Sequence, residues 1–109
     1  MDDKDFKQRT EYIEGGGWVK MPRKDFVAWK YERGRREHGD WTTMTPLEAM
    51  FQLYEEFADV LSYTEQPHIS QFYKSKGYEG QRDVEFMQQA SMKSMEIVRR
   101  RAKQMLGEE

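Results

Sequence analysis

The chain has 109 residues, with 18 lysines and arginines against 20 aspartates and glutamates, a formal charge of -2. That length suits one modest core and falls short of the size at which chains divide. The near balance of charge excludes whole-molecule attraction to nucleic acid or to an acidic membrane. With no cysteine, disulfides, thiolate nucleophiles and thiolate zinc sites are excluded together, and a reducing, cytoplasmic setting is expected.

The opening "MDDKDFKQRTEY" is charged where a signal peptide needs an apolar core. No run in the chain approaches the roughly 20 apolar residues of a membrane span, so a soluble protein without a membrane partner is predicted. Residues 1–21 read as a flexible N-terminal arm, because Gly15, Gly16 and Gly17 resist regular structure. The triple glycine lacks the GxGxxG or GxxxxGK[ST] spacing of a phosphate loop. Residues 22–109 read as a single helical domain.

Pro22 suits a helix entry, and the first helix is predicted over about residues 23–37, with Phe26 and Trp29 at apolar spacing and Lys30, Arg33, Arg35 and Arg36 toward its end. Cations there complement the carboxyl end of the helix dipole. The following "HGDWTTMT" reads as a loop.

The second helix has the plainest start: Thr45 as N-cap, Pro46 in the first position and Glu48 where a capping box places its acid. Pro67 stops it after about Gln66. Its apolar residues, Leu47 through Leu61, cover about half the circumference at 100° per residue, which predicts neighbours on more than one side. A third helix is predicted over about residues 81–106. Its main stripe is Val84, Met87, Met95, Val98, Ala102, Met105 and Leu106, and Phe86, Ala90 and Ile97 form a second one. The expected fold is therefore all-α, a compact bundle of about three main helices behind a flexible arm, completed by homo-oligomerisation where apolar arcs are left uncovered.

The stretch "LEAMFQLYEEFADVLSY", Leu47 to Tyr63, carries four carboxylates and no lysine or arginine. Glu48, Glu55 and Asp59 fall within about 40° of one another on the helical wheel, and Glu56 lies about 100° from Glu55. Glu55 and Asp59 are four residues apart and repel by a few tenths of a kcal/mol. Three explanations stay open: a solvated face, carboxylates paired with arginines of another helix, or a site for a hard divalent cation such as magnesium, which favours oxygen ligands and joins carboxylates to phosphates.

Within that stretch "EEFADVLSY" resembles the second metal-binding segment of the MazG-like all-α nucleoside triphosphate pyrophosphohydrolases, an ExxD pair followed by apolar residues and an aromatic; Glu56 and Asp59 take the ExxD places. The neighbouring "ERGRREHGDW" and "PLEAMFQLYEE" are similar to small phage and bacterial proteins of this type. The resemblance implies a nucleotide substrate cut to monophosphate and pyrophosphate. It implies Mg2+ on Glu55, Glu56 and Asp59, with Glu48 and Glu55 as catalytic carboxylates and Glu48 orienting water or a second ion. Phosphates would meet Lys30, Arg33, Arg35 or Arg36, since guanidinium offers bidentate donors, and a base would stack on Trp29, Trp41 or Tyr63. The family's EExxE element on an earlier helix is missing here, since upstream of the segment stand only Glu32, Glu37, Asp40 and Glu48. Asp83, Glu85 or carboxylates of another subunit would have to complete the shell. Two noncatalytic alternatives follow: a protein that sequesters a nucleotide, or a helical phage-type adaptor or inhibitor that contacts a host protein, for which eight methionines supply adaptable apolar surface.

Overall fold

The computed structural model describes residues 1–107, with the side chain of Trp41 outside the description. All regular structure among these residues is helical: α1 (Asp3–Glu14), α2 (Arg23–His38), α3 (Pro46–Glu65), α4 (Pro67–Lys74) and α5 (Gly77–Leu106), with 3-10 turns at Gly17–Val19 and Trp41–Thr43. None of these helices is long and apolar enough to cross a membrane. The contacts divide the chain into two units, the first Met1–Thr43 and the second beginning at Met44.

The first unit corrects the expectation of a flexible arm over residues 1–21. Asp2 caps α1 by accepting from the Asp5 N–H at 2.8 Å, and Asp3 and Asp5 place negative charge where the helix dipole is positive. The only buried apolar residue of α1 is Ile13, so its pattern carries little periodic signal. Partners on α2 hold the helix instead. Trp29, 3% exposed, donates its indole N–H to Thr10 Oγ1 at 3.1 Å, and the Arg36 guanidinium sits 4.2 Å from the centre of the Phe6 ring. Between the two helices, Gly16 adopts φ 104°, a left-handed value that a side chain would strain. The boundary after Thr43 also places α2 with α1, where the sequence grouped it with the later helices.

The second unit is an antiparallel hairpin of α3 and α5, with α4 between them in the chain. Thr45 caps α3 through Oγ1, which accepts from the Glu48 N–H at 3.1 Å, and Gln88 of α5 donates to the carbonyl of Thr64 at the far end of α3. Met50, Tyr54, Phe57 and Leu61 are half-buried toward α5, which presents Val84, Met87, Ser91, Met95, Val98 and Ala102 in return. Five α-helices thus replace the expected three. The region read as a linker contains α4, and α5 begins at Gly77, earlier than residue 81. Met105 and Leu106, assigned to the main stripe, are exposed. Among the described residues the buried apolar side chains are Ile13 and Trp29 in the first unit and Val84 in the second, a thin core for each.

Candidate functional site

The acidic ridge of α3 is built by helical periodicity alone. Met50, Phe57 and Leu61 turn toward α5, and at 100° per residue the mean direction of Glu48, Glu55 and Asp59 lies about 160° around the helix from them. These three carboxylates, with Glu56, are exposed. None of the four forms an ion pair among the described residues. No group of three or more His, Asp or Glu side chains that could hold a metal ion is found among those residues, Glu55, Glu56 and Asp59 included. Asp83 and Glu85 do not complete a shell with them.

The proposed phosphate contacts lie in the first unit, where most of their charge is already matched. Glu32 is the hub: it accepts from Arg35 Nη2 at 2.7 Å and Nε at 3.1 Å, and from Arg36 Nε at 3.0 Å. The Arg35 hydrogen bonds in particular hold the Glu32 carboxyl down from its ordinary 4.5 to about 2, while the same carboxylate raises Arg35, and Asp3 foremost, with Glu32 beside it, raises Arg36. Arg36 reaches further to Asp3 at 2.6 Å and to the Met1 carbonyl at 2.8 Å. Arg33 pairs with Glu37 at 3.1 Å and with Glu14 at 3.7 Å. The run "RGRR" is thereby a structural cross-link between α1 and α2, with two of its three arginines sharing one acid. Arg33 and Lys30 do share a shallow hollow of about 390 Å³ with the aromatic rings of Trp18, Phe26 and Trp29.

A second depression was not anticipated. The first half of α3 and the last third of α5 diverge around a groove of about 620 Å³ whose walls are Met44, Leu47, Met50, Phe51, Tyr54, Val98 and Ala102, with Glu48, Gln52 and Arg99 at its edges. Phe51 stands 59% exposed on its rim. The sequence signal for it was the width of the apolar arc on α3: Leu47 and Phe51 sit roughly 60–100° beyond the α5-facing line, too far round to be covered by one neighbour. Tyr63, offered as a base-stacking residue, is exposed on the same helix outside this groove.

Comparison of the chain with models of known protein families, with characterised proteins and with solved structures finds no match.

Proposed function

We propose that this chain is a noncatalytic helical binding protein, an adaptor or inhibitor that engages another protein through the α3–α5 groove. The observation that supports the reading is the pairing of an open apolar groove with a rim phenylalanine, Phe51, left 59% exposed. Adaptable methionines and exposed aromatics are characteristic of surfaces that accept an apolar helix face. The outward carboxylates favour the same choice over turnover, because acids spread along one helix face do not converge on a reacting atom. The test compares the chain with its Phe51→Glu variant as immobilised bait in host extract. A protein retained by the first and lost by the second supports the reading. Equal retention by both, or none by either, counts against it.

A second reading is nucleotide sequestration in the first unit, supported by the hollow that joins Lys30 and Arg33 to Trp18, Phe26 and Trp29. Stacking on an exposed ring, here Trp18, and cation contacts to phosphate are what such a ligand needs. Nucleotide-induced thermal stabilisation, lost in the Lys30→Ala/Arg33→Ala variant, tests it. Pyrophosphate release from a panel of nucleoside triphosphates with Mg2+, abolished by Glu56→Gln and Asp59→Asn, would restore the hydrolase expected from the resemblance.

A further inference from the structure

We infer that the partner seated in the α3–α5 groove is an amphipathic helix carrying lysine or arginine along one edge of its apolar face; the inference rests on the groove being a protein-binding surface. From Leu47 to Tyr54 the α3 wall runs about 10 Å at 1.5 Å per residue, close to two turns of a docked helix. Its apolar walls accept side chains spaced i, i+3, i+4 and i+7.

Charge then selects among such helices. Leu47 and Phe51 form the α3 rim, and the acids Glu55, Glu48 and Asp59 follow around that helix within about 80° of Phe51, with the neutral Ser62 also in that arc. These acids carry no ion pair among the described residues. No lysine or arginine occurs between residues 37 and 73, so the ridge has no compensation from its own helix. Glu55 and Asp59 repel each other across one turn. A basic edge laid beside them relieves that repulsion as it binds, whereas an acidic edge adds to it. The opposite rim carries Arg99, which favours an acidic or neutral residue on the partner's other edge. The two rims of opposite sign therefore fix which way round the helix lies. The same ridge repels nucleic-acid phosphate and anionic lipid.

Two synthetic helical peptides test the inference. They share leucines at i, i+3, i+4 and i+7 and differ only in lysine or glutamate along one edge. Fluorescence anisotropy with the full chain at low and at physiological salt should show the lysine peptide binding at least about tenfold more tightly, a preference that shrinks as salt screens it. The Glu48→Gln/Glu55→Gln/Asp59→Asn variant should lose that preference while keeping residual binding to both peptides. Phe51→Glu should lose both, with helicity checked by circular dichroism. Equal or tighter binding of the glutamate peptide overturns the inference, as does a preference that survives in the neutralised variant. If neither peptide binds and the chain sediments as a dimer that Phe51→Glu dissociates, a second copy fills the groove. The basic-helix partner then falls while the groove stands as a protein-binding surface. If neither binds and the chain is monomeric, both readings fall.

Discussion

Trp29 of α2, 3% exposed, donates its indole N–H to Thr10 Oγ1 of α1 at 3.1 Å, a side-chain hydrogen bond between these helices that reaches a buried ring. Thr10→Val keeps the shape and removes the acceptor, leaving the indole N–H unsatisfied. The expected loss is about 1–3 kcal/mol by chemical denaturation, with faster exchange of the Trp29 indole proton. Unchanged stability would show that water takes over the acceptor role.

The Glu32 carboxyl, held at about 2 by Arg35 and Arg36, gives the first unit a defined acid sensitivity. A carboxylate more acidic in the folded than in the unfolded chain stabilises fully above the unfolded value, 4.5, and loses that contribution as pH falls toward 2. Indole proton shifts of Trp29 followed between these limits should report loosening of α1 from α2. Glu32→Gln should be weaker at neutral pH and flat across the same window.

Gly80 is buried near the start of α5, and a Cβ there would run into the Tyr73 carbonyl of α4. Glycine to alanine inside a helix ordinarily stabilises by about 0.5–1 kcal/mol. Here the obstacle is backbone, so Gly80→Ala should instead destabilise by about 1–3 kcal/mol. Thermal unfolding decides the sign, and a raised midpoint would mean that α4 slides away without penalty.

Asp59→Lys replaces a repulsive i, i+4 pair with Glu55 by an attractive one in the favourable order. Each contribution is a few tenths of a kcal/mol. The midpoint should rise by about 2–4 °C, an effect diminishing in high salt. A fall in stability would reveal that the Asp59 carboxylate has a structural partner.

The elements easiest to anticipate were those punctuated by side-chain chemistry. Thr45, Pro46 and Pro67 bracket α3 to within a residue or two of its observed bounds, and Pro22 and Gly39 do the same for α2. α1 was missed because a helix with Ile13 as its only buried apolar residue offers no stripe, and its cross-links to α2 are long-range pairs such as Asp3 with Arg36. α4 was hidden by its length of 8 residues, too short for periodicity to show. For the site, spacing placed Glu48, Glu55 and Asp59 on one face, but a wheel does not say what that face looks at. That was decided by which half of the apolar arc α5 covered. The groove escaped notice because its walls come from helices distant in the chain, and Arg35 and Arg36, two of the arginines read as phosphate ligands, were already matched by Glu32, three and four residues away.

α5 packs against α3 along one part of its length and against α4 along another, so it is the spine to which both neighbours attach. Neither neighbour has a comparable anchorage of its own. A proline placed midway in α5 would therefore not melt one end while sparing the other, and the whole second unit should lose its protection against proteases in a single cooperative step.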